Sequence, residues 1–278
     1  MPPGPKSLAV TIDAPTRLAG LPDIHASDGL APAGCIGLAF KSESELSERV
    51  IFPVTEAQSN GIEDARFVAF DDDGKTIYFA TYTAYSGSSI RSELLETTDF
   101  LNFTLTPLRG PAARNKGMAL FPRKIDGHYA MIARQDSENL FLLYSDDLHH
   151  WDEGRLLMKP EFAWQFVQIG NCGSPVEIDE GWLLFTHGVG PMRRYAIGVT
   201  LLDKHDPSII LSRTVEPLLQ PEPTEREGYV PNVVYSCGAM RHGDLIALPY
   251  AVSDTYSNFT TIKISRLLET MRPIGATS

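Results

Sequence analysis

Apolar runs separated by short polar turns recur along the chain. Four times an apolar run is followed by a turn that carries Asp and Gly, and then by a second apolar run. Asp and Gly tolerate the positive φ that tight turns require, so each unit predicts a β-hairpin. The four units are RFVAFDDDGKTIYFATYTAY, ALFPRKIDGHYAMIAR, SPVEIDEGWLLFTHGV and VVYSCGAMRHGDLIALPYAV.

The spacing of these hairpins indicates a repeat. Their turn glycines, Gly74, Gly127, Gly181 and Gly243, follow one another at intervals of 53, 54 and 62 residues. A period near 50 with several strands per unit is typical of a β-propeller, and this length of chain corresponds to about five blades. We therefore predict an all-β, five-bladed β-propeller that forms a single domain over residues 1–278. A β-sandwich with coincidental spacing is the alternative, although sandwich strands recur more closely.

The first 50 residues contain no clear hairpin. A closed propeller would then complete its last blade with an N-terminal strand, for which CIGLAF is the candidate. Its partners would be C-terminal strands such as TTIKISRL. We expect this closure, with an abbreviated first blade.

Composition and charge limit the kinds of partner that we expect the protein to bind. The chain has 278 residues, 43% of them hydrophobic, and a formal net charge of −11. An acidic surface repels phosphate backbones, which argues against a nucleic-acid partner. Three cysteines without paired spacing predict neither a disulfide framework nor a zinc site, and we expect no cofactor. With no signal peptide and no apolar run near 18 residues, we expect a cytoplasmic protein without a membrane partner.

Polar residues recur at corresponding places in successive hairpins. In a propeller the inner strands and their loops face a central channel, so these side chains would converge there. The two-residue period of a strand puts Asp64 and Arg66 on one face, where the cation would orient the carboxylate. The other residues at such places are Asn115, Lys116, Arg134, His187, Glu225, Glu227 and Asp254.

Purely structural interpretations of these residues stay open. Asp64 and Arg66 also fit an ion pair at a strand edge, because structural pairs perturb pKa values as well. His187 also fits a core histidine with satisfied hydrogen bonds. Glu225 and Glu227 lie in the charged loop TEREGYVPN, which suits the rim above a buried strand.

Several of these stretches resemble glycoside hydrolase family 130, whose members are five-bladed propellers acting on β-mannosides. The matching stretches are NGIEDARF, TYTAY, NKGMALFPRKIDGHYAM, IGNCGSPVEIDEGWLLFTHGV, RRYAIGVTLLDKHDP, PLLQPEPTEREGYVPNVVYSCG and LPYAVSD, and they span about residues 59–254 in the family's order. The resemblance implies either a phosphorylase that releases mannose 1-phosphate or a hydrolase of β-1,2-linked mannosides. Both kinds invert the anomeric centre.

The resemblance also implies roles for individual residues. It makes Asp64 the general acid, whose proton reaches the glycosidic oxygen through a sugar hydroxyl. It implies substrate or phosphate contacts for Arg66, Asn115, Lys116, Arg134, His187, Tyr195 and Asp254. The expected partner is a β-mannoside oligosaccharide, with inorganic phosphate in the phosphorylase case.

Two features depart from the family pattern. Phosphorylases of the family usually carry a phosphate-binding lysine where this chain has Gln168, and glutamine adds no charge. That difference favours hydrolysis, although Arg114, Arg134 and His187 would still suit an anion site. Residues 1–58 also contain no Asn-Pro segment, which in the family lines the sugar site. We therefore expect a less enclosed pocket.

Hydrolysis with inversion needs an acid and a base, with their carboxyl groups about 6.5–9.5 Å apart. Asp64 is the predicted acid. Glu225 is the first choice for the base, Glu227 the second and Glu177 the third. We thus expect an inverting β-mannoside hydrolase, with a β-mannoside phosphorylase as the first alternative and a non-catalytic glycan-binding propeller as the second.

Overall fold

The computed structural model describes residues 22–26 and 34–275. Four antiparallel sheets follow one another along the chain in the arrangement of β-propeller blades. Over the described residues, no helix has the length and apolar character that crossing a membrane requires.

Sheet one contains six strands in the order β1-β2-β6-β5-β4-β3. Its strands are β1 (Asp23–Ala26), β2 (Ile36–Ala39), β3 (Ile62–Asp72), β4 (Lys75–Tyr85), β5 (Ile90–Thr97) and β6 (Asn102–Pro107). Sheet two has the order β10-β9-β8-β7. Its strands are β7 (Ala119–Leu120), β8 (Tyr129–Ala133), β9 (Leu140–Ser145) and β10 (Arg155–Met158).

Sheets three and four complete the described part of the chain. Sheet three contains β11 (Gln168–Asn171), β12 (Val176–Ile178), β13 (Gly181–Val189), β14 (Tyr195–Leu202) and β15 (Ile210–Arg213). Sheet four contains β16 (Val234–Tyr235), β17 (Met240–His242), β18 (Leu245–Val252) and β19 (Tyr256–Lys263). Helix α1 (Ile264–Thr270) follows, and β20 (Arg272–Pro273) then pairs with β15 at the edge of sheet three. Short 3₁₀ segments occupy Leu46–Glu48, Glu56–Gln58, Pro111–Arg114, Ala163–Gln165, Pro191–Arg193 and Pro223–Glu225.

The four predicted hairpins are confirmed. The first joins β3 to β4, the second β7 to β8, the third β12 to β13 and the fourth β17 to β18. At the first turn Asp73 and Gly74 have φ 52° and 85°, left-handed conformations that aspartate and glycine tolerate better than other residues. Along β3 burial alternates, with Val68 and Phe70 inside and Phe67 outside, as a two-residue period requires.

Successive sheets pack on each other through separate apolar clusters. One cluster joins sheets one and two around Phe70 and Trp151, and a second joins sheets two and three around Phe121 and Trp182. A third joins sheets three and four around Leu248. This serial packing excludes the β-sandwich, in which two sheets face each other across one core.

The predicted closure of the propeller is wrong. Strand β2, which contains most of CIGLAF, pairs with β6 in sheet one, while β19 pairs with β18 in sheet four. The reason is packing, because Leu38 and Phe40 bury against Phe103 and Leu105 of sheet one. Strand β2 therefore extends sheet one, which has six strands and is not the abbreviated blade that we expected. The described residues form four sheets where the repeat length predicts about five. Residues 1–21 lie outside the described part.

Candidate active site

Asp64 lies at an irregularity near the start of β3. The pairing of β3 with β4 shifts register between Glu63 and Arg66, and Asp64 has φ 60°. A left-handed aspartate inside a strand is uncommon, and bulges of this kind re-aim a side chain. Here Arg66 Nη1 donates to the backbone oxygen of Asp64 over 2.9 Å, and Nη2 lies 3.4 Å from its Oδ2. The predicted pairing of these two residues is present.

A tyrosine from sheet four completes this contact. The Tyr235 hydroxyl donates to Oδ2 of Asp64 over 3.0 Å and accepts from Nη2 of Arg66 over 2.8 Å. Burial raises the pKa of Tyr235 well above its ordinary value, so the hydroxyl keeps its proton and remains a donor. Burial by itself lowers the pKa of Arg66, but Tyr235 and Asp64 outweigh it and the pKa is raised, so Arg66 stays cationic.

Tyr235 is not among the site residues predicted from the sequence. It follows the charged loop TEREGYVPN in the stretch VPNVVY, where its neighbour Val234 is fully buried. Alternation from Val234 would have directed the Tyr235 side chain to the other face of the inner strand, toward the predicted channel. This alternation is the sequence signal that could have identified Tyr235 as a site residue.

Arg134 and His187 form a second group beside Gly170. The two side chains are 8% and 3% exposed, and a Cβ on Gly170 would lie 2.4 Å from Cε1 of His187 and 3.3 Å from Nη1 of Arg134. The absence of a side chain at Gly170 therefore lets the imidazole and the guanidinium approach β11. The structure thus brings together two of the three residues predicted for an anion site.

His187 is neutral in this environment. Burial lowers its pKa well below the ordinary 6.5, and the nearby cations Arg134, Arg66 and Lys116 lower it further. Nδ1 of His187 and Nε of Arg134 are buried and have no hydrogen-bond partner among the described residues. Buried polar atoms are normally paired, so two unpaired atoms in one cationic cluster make it a candidate site for a polar ligand.

Aromatic rings connect the two groups. The His187 ring stacks on Tyr195 with centroids 5.8 Å apart and lies 4.9 Å from the Tyr235 ring. Tyr195, a predicted substrate contact, therefore belongs to the same cluster of side chains. These rings place apolar surface beside the charged groups.

Gln168 occupies the position where the family's phosphorylases usually have a lysine. With its amide oriented to satisfy both neighbours, its oxygen accepts from Nη1 of Arg134 over 2.8 Å and its nitrogen donates to the Ser137 carbonyl over 3.2 Å. Gln168 thus orients Arg134, and it adds no charge to the pocket.

The loop before β7 contributes to the site less directly than the strands do. Nζ of Lys116 lies 3.5 Å from Oε2 of Glu63, which brings its charge next to the Asp64 segment. Asn115 Nδ2 donates to Oγ of Ser137 over 2.5 Å, and its Oδ1 accepts from the Lys116 backbone, so Asn115 fixes the loop. Arg114 is exposed at the end of its 3₁₀ segment.

The predicted bases lie at the rim of sheet four or outside the pocket. Glu225 accepts from the Glu222 backbone over 2.9 Å and from the Tyr256 hydroxyl over 3.4 Å. Glu227 is exposed. Glu177 pairs with Arg123 at 2.9 Å, and that hydrogen bond is the main reason its pKa is lowered. No recorded contact over residues 22–26 and 34–275 joins these three carboxylates to Asp64.

Asp64 also opens onto a cleft between sheets one and four. The cleft has a volume of about 770 Å³ and is lined by Asp64 and Phe67 of β3 and by residues of β16 to β19, with Asp254 at the turn between β18 and β19. Asp64 therefore contacts the cluster of Arg66, Tyr235 and His187 on one side and lines this cleft on the other. Among the described residues, no group of three or more His, Cys, Asp or Glu side chains is placed to hold a metal ion.

Comparison with known proteins gives concordant results. A sequence profile described as beta-1,4-mannooligosaccharide phosphorylase, of glycoside hydrolase family 130, matches residues 36–273. A 1,2-beta-oligomannan phosphorylase of Thermoanaerobacter sp. (strain X514) is 34% identical over 76% of this chain and 71% of its own. A beta-1,2-mannobiose phosphorylase of Listeria innocua is 33% identical, and the match covers 78% of this chain but only 62% of that protein.

A solved structure extends this likeness to the fold. The beta-1,2-mannobiose phosphorylase of Listeria innocua, in complex with beta-1,2-mannobiose, superposes with a TM-score of 0.71 at 30% identity. The superposition covers 84% of this chain and 68% of that one. The profile match, the curated relatives and the shared fold agree, and the chain belongs to glycoside hydrolase family 130.

Proposed function

We propose that the protein is an inverting phosphorylase of β-1,2-linked mannosides, which cleaves the glycosidic bond with inorganic phosphate and releases mannose 1-phosphate. The observation that carries this proposal is the cluster of cationic side chains around His187, which adjoins the contact between Tyr235 and Asp64. Arg66 and Arg134 lie there with Lys116 nearby, and donor or acceptor atoms of Arg134 and His187 are unpaired. Charge-assisted hydrogen bonds to arginine are the usual means of holding phosphate.

The proposed reaction assigns each group a step. Asp64 in its protonated form gives its proton to the glycosidic oxygen, through a sugar hydroxyl as in the family, while the bond from that oxygen to C1 breaks. A phosphate oxygen forms the new bond to C1 from the opposite face. Arg66 and the Tyr235 hydroxyl then stabilise the Asp64 carboxylate that remains.

Phosphorolysis requires fewer carboxylates at the site than hydrolysis does. A hydrolase needs a second carboxylate to activate water, and phosphate needs no such base because it is itself the nucleophile. Glu225, the first choice for that base, forms hydrogen bonds with Glu222 and Tyr256. Two curated relatives at 33 and 34% identity are phosphorylases, which supports the same choice.

Hydrolysis is the second candidate, because of Gln168. Its amide oxygen takes up one donor of Arg134 and supplies no positive charge, which weakens the pocket for a phosphate dianion. A glycan-binding protein without turnover is the third candidate.

One assay separates the three candidates. The protein is incubated with β-1,2-mannobiose with and without inorganic phosphate, and the products are identified by chromatography. Mannose 1-phosphate formed only with phosphate is the expected result. Free mannose at the same rate without phosphate would establish the hydrolase instead, and binding without turnover would establish the third candidate.

The variant Asp64→Asn tests the assignment of the acid in the same assay. Its kcat should fall by roughly 10²–10⁴-fold, the usual contribution of a general acid. Since asparagine can still accept from Tyr235 and Arg66, the fold should be kept, as an unchanged circular dichroism spectrum would show. Turnover close to that of the wild type in a folded variant would refute the assignment.

A further inference from the structure

The stretch PMRRY carries an arginine that the reaction site does not use. Arg194 precedes Tyr195 at the start of β14, and in an extended chain neighbouring side chains point to opposite sides. Because Tyr195 stacks on His187, Arg194 faces away from that cluster. Nε of Arg194 is buried and has no hydrogen-bond partner among the described residues. Buried donors are normally paired, so this one is available to a ligand.

A second arginine faces the same hollow as Arg194. The hollow has a volume of about 320 Å³ and lies between the loop that joins β13 to β14 and the loop before β16. Its described lining consists of Pro191, Met192, Arg194, Arg226 and Asn232. Two cationic side chains and one amide therefore border a space that has no acidic residue in this lining.

Neither arginine is neutralised by a carboxylate. In the described part of the chain, no ion pair and no side-chain hydrogen bond involves Arg194 or Arg226. Glu225 and Glu227 flank Arg226 in the sequence but do not line the hollow. The chain as a whole has a net charge of −11, so two unpaired arginines at one hollow give an anion a local site of attraction on an acidic protein.

The size and chemistry of the hollow suit a phosphate group. A guanidinium donates pairs of charge-assisted hydrogen bonds to phosphate oxygens, and two arginines together can balance a dianion. A volume of about 320 Å³ is at the lower end of the range for small-molecule sites. It suits inorganic phosphate or a sugar phosphate, and the phosphate group is common to both.

The hollow adjoins the cluster around His187 without sharing an arginine with it. The backbone N–H of Tyr195 donates to the backbone oxygen of Asn232 over 3.0 Å, and Asn232 lines the hollow. Arg66 and Arg134, which belong to the proposed reaction site, do not line it. An anion held in the hollow would therefore be next to the reaction site and outside it.

We propose that Arg194 and Arg226 form a second anion site, which binds a phosphate group beside the reaction site. Such a site offsets the repulsion between an acidic protein and its anionic co-substrate. The choice of phosphate as the ligand rests on the proposed function, whereas the anion site itself rests on the two unpaired arginines and the hollow between them.

Equilibrium dialysis against radiolabelled inorganic phosphate, at a concentration that saturates the wild type, counts the sites. The double variant Arg194→Gln and Arg226→Gln should bind one phosphate fewer per chain than the wild type, because glutamine carries no charge. Arg193→Gln removes an exposed arginine that does not line the hollow, so it should bind as many as the wild type.

Unlabelled mannose 1-phosphate then identifies the source of the phosphate group. Displacement of the label that the double variant lacks shows that the site also accepts a sugar phosphate. Retention of that label shows that the site is selective for free phosphate. Either result supports the second site.

The outcomes separate this inference from the proposed function. Equal numbers of bound phosphate in the wild type and the double variant, or the same loss in Arg193→Gln, would overturn the inference and leave the phosphorylase intact. If phosphate-dependent cleavage is absent but the double variant still loses one bound phosphate, the proposed function fails and the second site remains. Melting temperatures check the variants, which should fold because neither Arg194 nor Arg226 forms an ion pair within the described part.

Discussion

At the scale of single residues, the site depends on a backbone conformation that sequence patterns do not predict. Asp64 has φ 60°, and it holds this conformation between two residues at which the β3–β4 pairing changes register. Such a conformation costs on the order of 1–3 kcal/mol, and surrounding contacts must stabilise it. Arg66 and Tyr235 make those contacts, on the backbone oxygen and on the carboxylate.

The hydroxyl of Tyr235 can be tested without disturbing the ring. The variant Tyr235→Phe keeps the packing on His187 and removes two hydrogen bonds, one donated to Asp64 and one accepted from Arg66. Loss of the bond to Asp64, about 1 kcal/mol, should lower kcat about fivefold and change KM for phosphate much less. Initial rates over a range of phosphate concentrations measure both constants.

Tyr129→Phe is the matched control, since its ring packs on Phe70 in the core between sheets one and two. It should keep the wild-type kcat. If Tyr235→Phe also does so, the hydroxyl has no part in positioning Asp64.

Sequence patterns predicted part of the arrangement of the site residues but not all of it. The two-residue period paired Asp64 with Arg66, and the repeats brought Arg134 and His187 to one place. Tyr235 contacts Asp64 across 171 positions of sequence, and such a distant contact depends on how sheets one and four pack. No local pattern encodes it.

At the scale of elements, a buried polar network holds the segment that leads into β3. Glu93 on β5 accepts from Gln58 Nε2 over 2.7 Å and from the Tyr82 hydroxyl over 2.6 Å, and it pairs with Arg91. Burial and the adjacent Glu93 carboxylate raise the pKa of Tyr82, so its hydroxyl remains a donor. Gln58 in turn accepts from the Val54 backbone.

Removing the centre of this network should destabilise the protein. Glu93→Ala leaves the buried Tyr82 hydroxyl without an acceptor and leaves Gln58 Nε2 with only the Tyr82 oxygen, which costs about 1–3 kcal/mol. Urea denaturation measures the change in the free energy of unfolding.

The matched control is Glu96→Ala on the same strand. Burial raises the pKa of Glu96, so its carboxylate is poorly solvated and its removal should change stability little. Equal effects of the two substitutions would show that the Glu93 hydrogen bonds do not stabilise the fold.

Sequence patterns predicted individual elements better than the way those elements join. The hairpins were found because turn glycines and apolar runs are local signals. The sheet to which β2 belongs was predicted wrongly, because an apolar strand fits the edge of any sheet. Only the packing of Leu38 and Phe40 on sheet one decides between the candidates.

At the scale of the whole molecule, the neutral His187 links stability to pH. Its pKa in the folded state lies well below 6.5. Below about pH 6.5 this histidine therefore binds a proton in the unfolded chain but not in the folded protein. This contribution to stability is complete above that pH. It decreases as the pH falls toward the folded-state pKa, by up to about 1.4 kcal/mol per pH unit.

The variant His187→Gln should therefore lose less stability than the wild type between about pH 6.5 and pH 5. Denaturant titrations in phosphate-free buffer give both curves. His242→Gln, at an exposed position, controls for the loss of an imidazole and should follow the wild type. Parallel curves for His187→Gln and the wild type would show that the ring is not kept neutral by burial.

The hydrogen bond between Tyr235 and Asp64 is also a joint between the first and the last described sheets. Because Arg66 and Tyr235 both contact Oδ2, a proton carried on Oδ1 could leave while this joint stays closed. The hydrogen bonds that orient the proposed acid would in this way also tie together two sheets that are far apart in the sequence.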